Sequence, residues 1–257
     1  MNFASTLQES VFKVADDFGV DNMHDEIMLA LLKEQKIDGV SVFSEFISPT
    51  SIYSLIEVRS KFNIQIGLHF NLTHGSLLPD VSSLLVKSIF STVDKKFIYK
   101  ALKVQLQAFE EKFGFMPDFI DGHQHVHAFP VIAKVVIEYL VRIQFKGWVR
   151  NVGAGSIVGW RLALKCNYLK KFLILEVLSF FHKKKLKKSG IFFNNFFFGL
   201  MPLDKPKKLH KALLHLHSIN FLNSTVIMCH PGSVDGSGTE DHPAKSRELE
   251  ASWLLEN

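Results

Sequence analysis

The sequence predicts an α/β fold built on a parallel sheet, and three observations carry that expectation. Apolar runs of strand length alternate with segments of helical periodicity from Val11 onward. Acidic and histidine clusters fall just after several of the apolar runs. No internal repeat or low-complexity linker divides the 257 residues, a length that single barrels commonly reach. Alternating strands and helices build parallel sheets, whose functional groups gather at the carboxyl ends of the strands. One domain covering residues 1–257 is expected.

The elements follow in order. Val11 to Ala15 reads as a buried strand ending in the polar rim Asp16-Asp17. A helix from Asn22 to Gln35 places Ile27, Ala30 and Leu31 near helical spacing, with Asp21 as its N-cap. Gly39 to Phe43 is a second strand, and Ser48-Pro49 opens a helix towards Lys61 with proline in the first turn. Ile64 to Phe70 is a third strand, and residues 76–92 fit either type. Lys95 to Phe113 is helical until Gly114 and Pro117, and Phe119-Ile120 begin a fourth strand. Phe129 to Phe145 reads as a helix and Gly147 to Val152 as a fifth strand. Val158 to Phe181 is helical by composition, and His182 to Lys188 reads as a basic loop. Phe192 to Phe198 holds five phenylalanines in seven positions, which suits a buried strand-like segment or an aromatic wall or lid. Lys207 to Ser218 is a helix, Thr225 to Cys229 a late strand, and Ser246 to Leu255 a final helix.

Composition narrows the function classes. Hydrophobic residues form 47% of the chain, enough for a sizeable core. The net charge of +5 is concentrated in Lys183–Lys188 and Lys205–Lys211 without a nucleic-acid motif, so no nucleic-acid partner is expected. Cys166 and Cys229 lie far apart, which excludes a CxxC metal site and suits a reducing compartment. The N-terminus lacks the features of a signal peptide, and a cytoplasmic location is expected.

The strand ends hold the chemistry. The first offers Asp16 and Asp17; the third offers His69, with Asn71 and His74 behind it. The fourth offers Asp121 and then His123, His125 and His127 at every second position. On an extended segment those imidazoles share one face. The late strand offers His230. One carboxylate and two imidazoles suit a divalent metal that keeps positions for water and substrate. A second carboxylate can act as general base and a separate histidine as general acid. These parts together point to metal-assisted hydrolysis of an amide or ester. Taken singly, each also reads as an ordinary turn or loop residue.

The segments "ADDFG" (Ala15 to Gly19), "GLHFNLTHG" (Gly67 to Gly75), "DGHQHVHAFP" (Asp121 to Pro130), "MCHPG" (Met228 to Gly232) and "RELE" (Arg247 to Glu250) resemble, in order, those of the YdjC/ChbG-like carbohydrate deacetylases. "FFFGL" (Phe196 to Leu200) is similar to that family's aromatic-glycine segment. The resemblance covers nearly the whole chain. It implies a distorted (β/α) TIM-like barrel of the glycoside hydrolase/deacetylase type. It also implies removal of an N-acetyl group from an amino sugar or chito-oligosaccharide. Asp17, His69 and His123 would be the metal ligands, with Mg2+ the family's metal and Zn2+ equally suited to the donors. By similarity to NodB-type deacetylases, Asp16 would be the general base, and His230 the general acid. His125, His127 and Asn71 would orient ligands or contact sugar, and Asp121 would orient a ligand.

Some positions depart from the family pattern. Val14 and Gln124 stand where the family often has asparagine and a further histidine. The sequence stops soon after Leu255 where relatives continue to a last strand, so the expectation includes a barrel lacking that strand or completed by a partner copy in a homo-oligomer. The stretch from Arg161 to Lys188 is unlike the family, and its apolar run followed by lysines could rest on a membrane surface, which would suit a lipid-linked sugar. Competing readings are a degenerate member that binds sugar without turnover, a deacetylase of nucleotide-linked sugars, and a phosphoesterase.

Overall fold

A computed structural model describes residues 10–75, 80–165, 168–199, 201–238 and 242–256. The N-terminal nine residues, Cys166, Leu200 and Asn257 lie outside the described residues, as do positions 76–79 of the ambiguous stretch. The strands are β1 (Val11–Phe18), β2 (Gly39–Val42), β3 (Gln65–Phe70), β4 (Phe119–Gly122), β5 (Trp148–Val149), β6 (Phe192–Phe193), β7 (Phe196–Phe198) and β8 (Thr225–Cys229). The helices are α1 (Asn22–Lys33), α2 (Pro49–Lys61), α3 (Val81–Ile89), α4 (Lys95–Phe113), α5 (Pro130–Arg142), α6 (Ile157–Lys165), α7 (Leu169–Ser189), α8 (Pro206–His217) and α9 (Ala244–Glu256).

All eight strands lie parallel in one sheet of order β6-β5-β4-β3-β2-β1-β8-β7. Its two edges, β6 and β7, are separated in sequence only by Asn194 and Asn195. Three peptide steps span at most about 11 Å, so the sheet must curl until its edges meet. The result is a distorted TIM-like α/β barrel, closed by one bent segment that pairs with β5 at its start and with β8 at its end. Buried Asn194 secures the bend. Its Oδ1 accepts from the Asn151 amide at 2.7 Å, and its Nδ2 donates to the carbonyls of Asn151 and Phe196 at 2.9 and 2.8 Å. The phenylalanine-rich segment is therefore a closing strand, with Phe197 and Phe198 buried and Phe192 exposed.

Helix boundaries follow local chemistry. The Asp21 side chain caps α1 by accepting from the Met23 amide, Ser48 caps α2 ahead of Pro49, and Gly114 ends α4 at φ +77°. Strands β2, β3, β4, β5 and β8 are buried on both faces, and Phe119 stacks on Trp148 with ring centres 4.6 Å apart. Among the described residues, no helix is long and apolar enough to cross a membrane.

Two expectations are corrected. The histidine run after β4 is not extended: His123–Ala128 forms a 3-10 helix with Gln124 and His125 at positive φ, so the three imidazoles diverge. Gly122 and Pro130 bracket it, and the backbone turns at once into α5. His182 to Lys188 is not a loop, because α7 runs through it to Gly190. Lys184, Lys187 and Lys188 sit at solvent, half-buried Lys183 and Lys185 donate to the carbonyls of Asn195 and Pro130, and Leu186 and His182 continue the buried stripe.

Candidate metal-binding active site

The site lies at the carboxyl ends of β1, β3, β4 and β8, around a cavity of about 720 Å3. Alternation along a strand would point Asp16 and Asp17 to opposite faces. Here β1 carries an irregularity between Ala15 and Phe18, and Asp17 takes φ +68°. That bulge re-aims its side chain, so both carboxylates line the cavity.

Asp17 Oδ1 stands 3.4 Å from His69 Nε2 and 3.3 Å from His123 Nδ1. This oxygen is buried and accepts no hydrogen bond of good geometry. The three donor atoms lie within 4.8 Å of one another, which fits a shared cation. His69 is held for that purpose. Its Nδ1–H donates to Asp121 Oδ1 at 2.7 Å, fixing Nε2 towards Asp17. Ser41 Oγ donates to the same Asp121 oxygen. Burial opposes protonation of His69, but the Asp121 and Asp16 carboxylates override it and raise its pKa to about 10. Burial would raise Asp17 too, yet close contacts with His123 and His69 and the charge of Arg247 hold it well below the usual carboxylate range. Phe43 braces the group, its ring 4.9 Å from His69 and 5.2 Å from His123.

Asp16 is clamped by Arg150, whose Nη1 and Nη2 donate to Oδ2 and Oδ1 at 2.6 and 2.7 Å. Arg150 Nη2 also stands 2.6 Å from Asp121 Oδ2, so one buried guanidinium neutralises two buried carboxylates. Burial raises the Asp16 pKa, with Arg150 pulling the other way. Asp121 is held low, because Arg150 and His69 outweigh its burial. Arg150 is a functional residue that the strand reading missed. An arginine inside the apolar strand read over Gly147 to Val152 was the available signal, since a buried charge demands a partner.

His230 lines the cavity, and its amide donates to Glu250 Oε2 at 2.8 Å. Burial keeps its imidazole neutral, reinforced by neighbouring His242, whose ring centre is 4.6 Å away. Burial also lifts Glu250 to about 8. Asp17 with His230 and His242 forms a second set of donors within 4.8 Å, although Arg247 Nη2 already donates to Asp17 Oδ2 at 2.8 Å. His242 went unnoticed in the sequence because a lone histidine before proline carries no spacing signal.

The remaining candidates separate. His125 lines the cavity with its Nδ1 unpaired among the described residues and its ring against Phe197. His127 does not reach the cavity; its Nε2–H donates to the Arg150 carbonyl at 2.9 Å, and burial lowers its pKa to about 4. Asn71 does not line the cavity either. Its Oδ1 accepts from the Thr73 and His74 amides, and its Nδ2 donates to the His74 carbonyl, shaping the loop after β3. In this structure both support the wall rather than line the cavity.

The chain is 31% identical to a carbohydrate deacetylase of Mus musculus over 161 residues, 55% of this chain and 51% of that protein. It is 37% identical to a chitooligosaccharide deacetylase of Proteus mirabilis (strain HI4320) over 87 residues, 30% of this chain and 34% of that protein. The matches thus span about half or less of these relatives' length. A crystal structure from Enterococcus faecalis V583, provisionally described as a cellobiose-phosphate cleavage protein, shares the fold with a TM-score of 0.63. It is 17% identical and the alignment covers 96% of this chain and 90% of that one. The family model described as YdjC-like protein matches residues 13–257, and the chain belongs to that family.

Proposed function

We propose that this protein is a divalent-metal-dependent hydrolase that removes the N-acetyl group of an amino sugar or chito-oligosaccharide and releases acetate. One observation carries the reading: the Asp17–His69–His123 donor set sits in the same cavity wall as the clamped carboxylate of Asp16. The names of the relatives that the chain matches agree with it.

Asp17, His69 and His123 would hold a divalent cation, Mg2+ or Zn2+, whose charge would acidify water and polarise an acetyl carbonyl. Asp16 takes the proton from the attacking water, and Arg150 holds its carboxylate in orientation through that transfer. Its raised pKa makes it a stronger base than an exposed carboxylate. His230 protonates the departing amine. Burial keeps it neutral at rest, so the proton it delivers is the one Asp16 takes from the water, passed on to it within the cavity before the amine departs. His125 offers its unpaired Nδ1 to a sugar hydroxyl.

The test is acetate release from a panel of N-acetylated oligosaccharides and nucleotide sugars, set against generic phosphoesters. Release that stops with chelator and returns with added metal supports the reading. Turnover of phosphoesters alone, or tight sugar binding without acetate, overturns it.

A further inference from the structure

The helix α7 is apolar on two faces. Phe172, Leu175, Leu178 and Leu186 pack inward, as an ordinary surface helix requires. The opposite face carries Leu173, Ile174, Val177, Phe180 and Phe181 at helical i, i+3, i+4 spacing, and all are exposed. Val177 is 58% exposed, Phe180 68% and Phe181 54%, far beyond scattered single surface apolars. The neighbouring α6 adds Ile157 at 72%, Trp160 at 40% and Leu164 at 62%. Lysines frame the stripe. Lys170 lies at one end and Lys184, Lys187 and Lys188 at the other, all exposed. From Ile157 to Lys188 there are nine basic residues and one acid, Glu176, whose Oε1 accepts from the Ala154 amide.

From this surface we propose that α6 and α7 form a docking face for an anionic lipid bilayer, on which the protein lies without crossing it. An exposed apolar stripe with tryptophan and phenylalanine, fringed by lysines, matches the interface between headgroups and acyl chains. Among the described residues no helix is long and apolar enough to span, which leaves α7 lying along the surface for about 30 Å. Charge selects lipid over a second copy of the chain. Antiparallel pairing of two α7 helices sets Lys170 of one copy against Lys184 and Lys188 of the other, and parallel pairing sets like on like. The same helix reaches the active-site cavity, for Tyr168 and Lys171 at its start line the wall. Docking therefore places the cavity beside the membrane surface. The inference does not rest on the deacetylase reading.

The experiment is flotation of the full chain with phosphatidylcholine vesicles, with and without a phosphatidylglycerol fraction. The expected result is flotation with the anionic vesicles and little with phosphatidylcholine alone. Phe180→Ser with Phe181→Ser keeps the charge and is expected to lower partition about tenfold or more. Lys184→Glu with Lys188→Glu is expected to lower it by about fivefold or more per lysine. Lys33→Glu at the end of α1 with Lys36→Glu just after it serves as a charge control expected to leave binding nearly unchanged. Each variant is checked by circular dichroism and thermal unfolding against the parent. Absence of flotation, or flotation that well-folded patch variants retain, overturns the proposal. So does a dimer that Phe180→Ser with Phe181→Ser dissociates while vesicle binding stays the same.

Discussion

Arg150 and Asp16 meet through two parallel hydrogen bonds of 2.6 and 2.7 Å, in full burial, and the same guanidinium stands 2.6 Å from Asp121. Removing it leaves buried Asp16 without its paired cation and Asp121 with His69 alone. Arg150→Met is expected to cost about 3–5 kcal/mol of stability, read by urea unfolding. Arg150→Lys keeps the charge but not the fork, so it should recover part of the stability while acetate release stays low. Full activity in the lysine variant would show that the fork does not orient Asp16.

The two adjacent aspartates predict different losses. Asp17→Asn and His69→Gln are expected to abolish stoichiometric cation binding in a calorimetric titration. Asp16→Asn is expected to keep cation binding and lower acetate release by about 10²–10⁴-fold. If Asp16→Asn also loses the cation, Asp16 belongs to the ligand set and the base lies elsewhere.

The alternation of strands and helices was readable because each apolar run and each helical period is a local property, and the cap residues Asp21 and Ser48 mark their helices locally. That the acidic and histidine clusters would gather at one rim followed from the strand ends, whereas the choice of Asp17, His69 and His123 among them came from the family resemblance. What was not readable depends on contacts remote in sequence. The bulge that turns Asp17 inward is set by pairing of β1 with β2 and β8. The spacing of His123, His125 and His127 suggested an extended face, but two residues at positive φ override that period. Arg150 declares its role only when Asp16, 134 residues away, comes beside it. The apolar run followed by lysines between Arg161 and Lys188 suggested a surface-lying segment, but sequence alone cannot show which apolar face of α7 has no cover.

Glu250 makes stability depend on pH. Its carboxyl is raised from 4.5 to about 8, chiefly by burial, so the folded chain holds a proton there that the unfolded chain releases. Between those values the folded state binds more protons, and stability falls as pH rises, by at most about 1.4 kcal/mol per unit. Above about 8 this contribution levels off. Glu250→Gln still accepts the His230 amide but cannot ionise. It is expected to be more stable than the parent at about pH 9 and similar at about pH 5, by urea unfolding. Equal pH slopes in parent and variant would sink this assignment.

Asn194 should control barrel closure. Its side chain satisfies both the amide and the carbonyl of Asn151 and adds a bond to the Phe196 carbonyl, all beside the bend between β6 and β7. Alanine leaves buried backbone groups unpaired, each worth about 1–3 kcal/mol. Asn194→Ala is therefore expected to lower stability by about 2–5 kcal/mol. Asn194→Asp can still accept from the Asn151 amide but cannot donate to either carbonyl, so it should be no better. The distinguishing readout is amide hydrogen exchange. If Asn194 holds the closure, protection falls first in Asn151, Asn195 and the Phe196–Phe198 strand, while β2 and β3 stay protected. A uniform loss across the whole sheet would mean that the bend is held by its phenylalanine packing instead.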